Sequence, residues 1–306
     1  MSNSPLVSIV ATCYNHEKYV VETLDSILGQ NYANIQLIIM DDCSTDNSVQ
    51  VVKDWIKIKC VDCVFIFHQE NKGLCKTLNE ALTYVKGEYY QVISCDDVLM
   101  LDKITKQIRV FEKYPELAIV SSNMKKIDPE SKVLDKNTNV SNYAPGLKKS
   151  KDLFKRLVVG NIIDAPTALI RKFCVPDDNV YDENLIFEDM DLFLKLALHY
   201  DFYIMKEALV KYRVLSTSMS TASSFRPKIN EGMIVMLSKY LGLGKDTDQI
   251  IKSHIKRYKR KLYRYTFSAF YSGETPSVEY LVKLKSMLRF NNRVKNLKKR
   301  LNKKND

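Results

Sequence analysis

The first 125 residues alternate between short apolar runs and longer segments with helical periodicity. The apolar runs are rich in β-branched and aromatic residues and are bounded by polar segments, as in buried strands. These runs are Leu6–Cys13, Ile35–Met40, Val64–Phe67, Tyr89–Ile93 and Ala118–Ser121. The helical segments between them are Tyr19–Leu28, Ser48–Ile58, Leu74–Val85 and Lys103–Tyr114. Apolar strands that alternate with helices predict an α/β fold, with a mostly parallel central sheet and helices on both faces.

After residue 123 the pattern becomes less regular. Residues 123–145 are polar and predict a loop that contains a hairpin. Periodicity then predicts helices over Asp152–Val159 and Asp191–His199, and strands over Pro166–Ile170, Phe202–Met205 and Leu209–Val214. We therefore expect one α/β domain over residues 1–220.

The C-terminal part of the chain is strongly basic. Residues 251–306 carry 17 Lys/Arg against 3 Asp/Glu, whereas residues 1–250 carry 30 against 33. Apolar side chains recur there every three or four residues, which predicts two amphipathic helices. The first stripe is Ile251, Ile255, Tyr258, Leu262, Tyr265 and Ala269; the second follows Thr275-Pro276 and is Tyr280, Leu284, Met287, Phe290, Val294, Leu297 and Leu301. We expect residues 221–306 to form a basic helical C-terminal extension.

The charge of this extension indicates candidate partners. Basic amphipathic helices suit the surface of an anionic membrane, although packing against a protein body explains the apolar stripes equally well. No recognised nucleic-acid-binding module accompanies the charge, so nucleic acid is not an expected partner, and the oligomeric state stays open. The chain shows no signal-peptide pattern and no apolar run that could span a bilayer, and its 7 cysteines form no disulfide or zinc framework. These features predict a cytoplasmic protein, peripheral at the inner face of the plasma membrane.

Polar residues follow three of the predicted strands. Thr12 to Asn15 follow the first strand, Asp41-Asp42 follow the second, and Asp96-Asp97 follow the fourth. Open parallel sheets bind ligands beyond the carboxyl ends of their strands, so we expect these clusters at one cleft. Paired carboxylates there can hold Mg²⁺ or Mn²⁺ and leave room for phosphate oxygens, although acidic pairs are also common in solvated turns.

Another acidic cluster, Phe187-Glu188-Asp189-Met190-Asp191, lies at the start of the last predicted helix of the domain. A carboxylate at a helix start that faces a cleft can act as a general base. The helix dipole also favours acidic residues in a first turn, so the cluster has a purely structural explanation as well.

Taken together, these motifs resemble those of the family 2 inverting glycosyltransferases of GT-A fold. The matching segments, in chain order, are Val7–Asn15, Leu24–Gln30, Ile39–Asp46, Asn71-Lys72-Gly73 with Asn79, Ser94–Asp97 and Glu188-Asp189. They lie within about residues 5–215 and have the order and approximate spacing of that family. The resemblance implies a GT-A type, Rossmann-like fold and the transfer of one sugar from a nucleotide diphosphate to an acceptor hydroxyl.

The resemblance also implies roles for individual residues. Asp189 is the expected base that deprotonates the acceptor, and Asp97 is the expected ligand of the Mn²⁺ or Mg²⁺ that bridges the diphosphate. The expected contacts of the nucleotide sugar are Thr12, Tyr14 and Asn15 in the base pocket, Asp42 at the uracil N3–H, Lys76 at the phosphates or base, and Asp96 at the ribose or donor sugar. The implied partners are a nucleotide-diphosphate sugar, preferably UDP-linked, and a glycan or lipid-linked glycan acceptor of surface polysaccharide synthesis.

Three positions depart from the family pattern. Ser94 stands where many members have a third acid, Leu78 replaces a frequent Arg, and Leu215 stands where a His often closes the motif that begins at Tyr212. These departures leave open a non-catalytic basic membrane or nucleic-acid adaptor on a degenerate sugar-nucleotide-binding domain. A nucleotidyltransferase that makes nucleotide sugars is a further alternative, but it would need a Gly-rich phosphate loop where this chain has Thr12 to Asn15.

Overall fold

A computed structural model of the chain describes residues 4–134, 144–178, 180–218 and 223–271, with side chains as far as Tyr265. The chain divides into two compact units, residues 1–223 and residues 224–306. The second helix predicted for the basic extension, and residues 135–143 of the loop predicted over residues 123–145, lie outside the described residues. Residues 123–127 were predicted as loop but are the end of a strand.

The first unit is built on one sheet, in which nine strands are described. The strands are β1 (Val7–Cys13), β2 (Ile35–Asp41), β3 (Val64–Phe67), β4 (Tyr89–Ser94), β5 (Val98–Leu99), β6 (Leu117–Ile127), β7 (Gly146–Lys148), β8 (Leu169–Arg171) and β9 (Asp201–Arg213). Their spatial order is β3-β2-β1-β4-β8-β6-β9-β5, with β7 paired to β9. The strands β3, β2, β1 and β4 are parallel neighbours, as is the pair β6 and β9, and the other pairings are antiparallel.

Six helices accompany this sheet in the described residues of the first unit. They are α1 (Val20–Leu28), α2 (Ser48–Lys59), α3 (Leu74–Leu82), α4 (Lys103–Lys113), α5 (Ser150–Val159) and α6 (Asp189–Ala197). Side chains of α1, α2 and α4 share one buried cluster with Ile9 and Ala11 of β1. Val10 is buried outside this cluster, because successive side chains of a strand point to opposite faces of the sheet. Helix α3 contacts both β1 and β2. The observed architecture confirms the predicted α/β fold class.

Some predicted elements differ from the observed ones. The two strands predicted over Phe202–Met205 and Leu209–Val214 form one long strand, β9 (Asp201–Arg213), because register shifts in its pairing with β6 absorb the irregular middle of the segment. Pro166 lies in a 3₁₀ turn, Ala165–Thr167, and the strand begins only at Leu169. The short strand β5 was not predicted, since two residues carry no periodicity.

The second unit contains α7 (Arg226–Lys239) and α8 (Lys245–Tyr271), which pack against each other. On α8 the apolar stripe is buried at Ile251, Ile255 and Leu262. The exposed side chains of this helix include Lys252, Lys256, Arg257, Arg260 and Arg264. None of the helices that the structure describes has an apolar stretch long enough to cross a membrane.

Candidate active site

The polar clusters after β1, β2 and β4 lie side by side at one edge of the sheet. In the strand register Thr12 is the partner of both Met40 and Ser94, and Cys13 is the partner of Asp41. The amide of Cys95 donates to the Thr12 carbonyl at 2.8 Å, and the amide of Asp42 donates to the Cys13 carbonyl at 2.9 Å. The parallel register therefore brings the three predicted clusters together.

The loops after β1 and β2 are joined by hydrogen bonds. The Asn15 amide donates to Ser44 Oγ at 2.8 Å, and Asn15 Oδ1 accepts from the Thr45 amide at 2.8 Å. Asn15 has a φ of +59°, a left-handed conformation that asparagine tolerates better than most residues. The preceding Tyr14 side chain is 47% exposed at the rim. Asn15 thus holds the loop, while the neighbouring Tyr14 side chain stays accessible.

Asp42 has the densest set of partners in this part of the site. Its carboxylate accepts from the amides of Lys72 and Gly73 at 2.8 Å each, and its Oδ1 lies 2.9 Å from Nδ1 of the buried His68. On the other side of the imidazole, Glu80 lies 3.2 Å from Nε2. A carboxylate has about four lone-pair positions, so one position is left for a ligand donor.

The turn after β4 carries the two other predicted acids. Asp96 and Asp97 are both buried, and the Asp97 carboxylate accepts a hydrogen bond from the backbone amide of Arg213 at 2.9 Å. Burial and the neighbouring Asp96 raise the pKa of the Asp97 carboxyl well above its ordinary value. His16, from the loop after β1, places its Nε2 3.9 Å from Asp96 Oδ2.

This turn suits a divalent cation. Two neighbouring carboxylates in a buried position repel each other, and a cation between or beside them would relieve that repulsion. Among the residues that the structure describes, no group of three or more His, Cys, Asp or Glu side chains is arranged to hold a metal ion by itself. Mg²⁺ and Mn²⁺ are commonly held by one or two carboxylates together with substrate phosphates and water, so the residues present fit a cation that enters with its substrate.

Helix α3 connects the loop that carries Asp42 with the last acidic cluster. Its N-terminus follows Gly73, which binds Asp42, and Asn79 on the same helix exchanges hydrogen bonds with the backbone of Tyr181 at 2.9 and 3.1 Å. The thiol of Cys75 donates to the Leu185 carbonyl at 3.3 Å. Lys76 is exposed on this helix. The segment that leads into α6 is thus fixed to the helix that begins beside Asp42.

Asp189 is the first residue of α6 and is partly buried. Its Oδ2 accepts from the side-chain amide of Asn161 at 3.0 Å, and its Oδ1 accepts from the Met190 amide at 2.7 Å. Burial raises the pKa of Asp189 to about 6, and the nearby Asp164 carboxyl adds to the rise. Burial and the charge of Asp189 raise the pKa of Glu188 to about 8. A carboxyl with a pKa near 6 is well suited to accept a proton at neutral pH.

Asp191, in the same acidic cluster, has a different environment. Its side chain is 1% exposed and lies 3.0 Å from Nζ of Lys195, one helical turn later. This ion pair lies within α6 and supports the helix. The structure thereby distinguishes the two aspartates of the cluster.

Sequence reasoning gave no role to several residues that shape this site. Arg213, His68 and Asn161 each bind one of the acids described above. Arg213 carried no signal of its own, because the same strand also contains Lys206, Glu207 and Lys211. His68 and Asn161 carried no signal, because their partners are 26 and 28 residues away in the chain.

Comparison with known proteins agrees with this geometry. Residues 8–219 match the family model described as glycosyl transferase family 2. The chain belongs to this family. The match contains every strand of the sheet except the first residue of β1, and it contains all the acids of the candidate site.

Relatives of this glycosyltransferase come from several organisms. An uncharacterized glycosyltransferase of Rickettsia typhi is 32% identical over 213 residues, which cover 69% of this chain and 64% of that protein. A poly-beta-1,6-N-acetyl-D-glucosamine synthase of Staphylococcus epidermidis is 30% identical over 204 residues, covering 66% of this chain and 48% of the synthase. The chain therefore matches less than two thirds of the length of either relative.

Solved structures show the same fold. The structure of S. aureus TarS residues 1–349 in complex with UDP-GlcNAc matches with a TM-score of 0.68 and 19% identity, covering 92% of this chain and 79% of that one. The mannosyltransferase PcManGT of Pyrobaculum calidifontis, in complex with GDP-Man and Mn²⁺, matches with a TM-score of 0.60 and 15% identity, covering 97% and 84%. These similarities confirm the predicted GT-A fold.

Proposed function

We propose that this family 2 glycosyltransferase is a metal-dependent, inverting enzyme that transfers a sugar from a nucleotide-diphosphate sugar to a hydroxyl of a glycan or lipid-linked glycan. The observation that carries the proposal is the environment of Asp189. This carboxyl has a pKa of about 6 and lies at the start of α6. The segment before α6 is bound to α3 through the Cys75 thiol, and α3 follows Gly73, whose amide donates to Asp42. Family membership favours this function over nucleotide-sugar synthesis or a non-catalytic adaptor.

The donor proposed is UDP-linked, and the sugar is a hexose or an N-acetylhexosamine. Support comes from the TarS structure with UDP-GlcNAc and from the N-acetylglucosamine polymer synthase among the relatives. The same relative supports an acceptor in surface polysaccharide synthesis. Within the site, Tyr14 offers its exposed ring to the base, and the remaining lone pair of Asp42 is available to the uracil N3–H. Lys76 would contact the phosphates or base, and Thr12 and Asn15 would complete the base pocket.

Asp97, with Asp96 beside it, would hold Mn²⁺ or Mg²⁺ together with the diphosphate. When bound, the cation neutralises charge that develops on the leaving diphosphate. Asp96 would also contact the ribose or donor sugar, and Nε2 of His16 lies 3.9 Å from its carboxylate. The burial of the turn strengthens these electrostatic contacts, because little water competes with them.

Asp189 would accept the proton of the acceptor hydroxyl as its oxygen attacks the anomeric carbon from the side opposite the leaving group. The Asn161 amide and the Met190 amide fix both oxygens of this carboxylate, so its orientation is set before the acceptor binds. Attack from the opposite side inverts the anomeric configuration of the transferred sugar.

A thermal-shift screen against UDP-, dTDP-, GDP- and CDP-sugars tests the proposed donor. A ligand that binds only the folded state raises the apparent melting temperature by an amount set by its affinity and concentration. We expect stabilisation by UDP-sugars with Mn²⁺ and a much smaller effect with EDTA. Stabilisation by none of the four classes in the presence of metal would contradict the proposal.

The rate should depend on pH through Asp189. A base must be deprotonated, so kcat/KM is expected to be level above pH 7 and to fall about tenfold per pH unit below about pH 6. Asn161→Ala removes a hydrogen bond that favours the charged carboxylate, so the acidic limb of the profile should move to higher pH. A limb that stays in place in this variant would argue against Asp189 as the group that titrates.

The basic extension is proposed to attract the enzyme to anionic membrane. On α8 the described aliphatic residues of the stripe are buried and Tyr258 and Tyr265 are half-buried, so the exposed cations rather than inserted apolar side chains would make the contact. Each Lys or Arg near such a surface contributes about 1 kcal/mol, and salt screens the attraction.

Charge reversal on α8 tests this attraction. Lys256, Arg257, Arg260 and Arg264 are exposed, so replacing all four with Glu should preserve the fold. We expect at least about a hundredfold weaker binding to phosphatidylserine vesicles at low salt, measured by sedimentation. The matched control replaces the exposed Lys18, Lys86, Lys113 and Lys151 of the first unit with Glu, which should change binding much less. Equal losses in both variants, or no binding by the unaltered protein, would contradict the proposed surface.

A further inference from the structure

Arg213, the last residue of β9, is a fully buried cation. Its side chain has no exposed surface, and the carboxylate it pairs with, Glu22 on α1, is 41% exposed. Burying a guanidinium costs several kcal/mol unless its donors are satisfied, so the position of this group requires specific partners. The structure provides them on both sides of the side chain.

One set of partners belongs to the turn that carries Asp96 and Asp97. The Nε of Arg213 donates to the Asp96 carbonyl at 2.8 Å, and its backbone amide donates to Asp97 Oδ1 at 2.9 Å. Thr23 Oγ1 donates to the Asp97 carbonyl at 2.7 Å. The turn is therefore fixed at both of its acids.

The other set anchors the guanidinium itself. Nη2 donates to Glu22 Oε2 at 2.6 Å, and Nη1 donates to the carbonyls of Asp128 and Pro129 and to Ser131 Oγ at 2.9 to 3.1 Å. The Arg213 guanidinium carbon also lies 4.6 Å from the ring centroid of Tyr19. These contacts hold the fork of donors in one orientation, which a flexible ammonium would not reproduce.

We propose that Arg213 is a positioning residue for the cation-binding turn, and that it sets the affinity of this turn for Mn²⁺ or Mg²⁺. The inference rests on the proposed function, since it concerns the cation that enters with the nucleotide sugar. Arg213 touches neither substrate nor cation; it acts through Asp96 and Asp97.

The composition of the turn explains why such support matters here. Among the residues that the structure describes, no third His, Cys, Asp or Glu side chain joins Asp96 and Asp97 in a group that could hold a cation. With fewer protein ligands, the affinity for the cation depends more strongly on how well the Asp97 carboxylate is oriented before binding. Partners that orient a metal ligand typically change metal affinity by about 10–100-fold when they are removed.

Arg213→Lys tests the proposal, with Ser131→Ala as its matched control. The lysine keeps the charge and the backbone amide but loses the donor to the Asp96 carbonyl. Ser131→Ala removes one of the three acceptors of Nη1 and keeps both the Nε hydrogen bond to the Asp96 carbonyl and the Nη2 ion pair with Glu22. Both variants should lower the melting temperature. Only Arg213→Lys should raise the Mn²⁺ concentration needed for half-maximal UDP binding, by about 10–100-fold, and UDP binding measured in EDTA should not change.

The outcomes separate this proposal from the function on which it rests. If the unaltered protein binds UDP with Mn²⁺ and Arg213→Lys requires no more Mn²⁺ than Ser131→Ala, Arg213 supports only the fold and the inference is wrong. If the unaltered protein shows no Mn²⁺-dependent UDP binding, the proposed function and this inference both fail. If Arg213→Lys does not fold, Glu22→Ala tests the same proposal, because it removes the ion pair that holds the guanidinium. We expect it to raise the Mn²⁺ requirement at least threefold, and an unchanged requirement would overturn the proposal.

Discussion

Asp189→Asn should lower kcat by about 10²–10⁴-fold while the affinity for the donor hardly changes. Asparagine has the shape of aspartate and can still accept the hydrogen bond of the Met190 amide, so α6 should keep its start. It cannot take a proton from the acceptor hydroxyl, which is the step that the proposed mechanism assigns to this position. Steady-state kinetics with a fixed acceptor, together with calorimetry of UDP binding, measure the two quantities separately.

Asp191→Asn is the matched control for this experiment. Asp191 lies on the same helix, α6, but its carboxylate is buried and forms an ion pair with Lys195. Losing the ion pair should lower the melting temperature, because Lys195 then keeps a charge with a weaker partner. Its kcat should stay within a few fold of the unaltered enzyme. If Asp191→Asn abolishes turnover and Asp189→Asn is mild, the base has been assigned to the wrong carboxylate.

Asp97→Asn is expected to abolish the Mn²⁺-dependent part of UDP binding, with a loss of at least about a hundredfold in affinity. A neutral amide is a poor ligand for Mn²⁺ or Mg²⁺, which prefer charged oxygens. Calorimetric titration of UDP with Mn²⁺ and with EDTA measures this effect. In EDTA the variant and the unaltered protein should bind UDP with similar affinity.

The fold of the Asp97→Asn protein should survive, and its melting temperature without metal should equal or exceed that of the unaltered protein. The Asp97 carboxyl is buried beside Asp96 and has a raised pKa, so its charged form costs stability at neutral pH. The substituted side chain keeps a carbonyl oxygen, which can accept from the Arg213 amide as the carboxylate does. Unchanged Mn²⁺ dependence in a protein that melts like the unaltered one would contradict the assignment of Asp97.

The parallel half of the fold could be predicted from the chain because its inner strands are largely buried on both faces. β1 and β2, for example, are mostly apolar runs bounded by polar segments, and their ends agree with the prediction to within one residue. The antiparallel half carried weaker signals. β9 contains charged residues such as Lys206 and Glu207 in its middle, and only its pairing with β6 across a bulge makes it one strand.

The acids of the candidate site could be predicted where they come just after a predicted strand. Asp42, Asp96 and Asp97 directly follow strands, so the strand order alone brings them to one edge. The side chains that orient these acids come from distant segments, as Arg213 does for Asp97 across 116 residues. No local pattern records such a pairing, because it depends on tertiary packing.

The most direct test of the proposed chemistry is the configuration of the sugar at the moment of transfer. An excess of enzyme with Mn²⁺ and an α-linked UDP-sugar should release UDP slowly to water in a single turnover, and proton NMR of the C1 signal identifies the anomer formed first. The proposed mechanism predicts that the β anomer appears first, since water attacks from the face opposite UDP with Asp189 as base. First appearance of the α anomer would contradict inversion, and no UDP release from any UDP-sugar, with or without glycan acceptors, would contradict the proposed function.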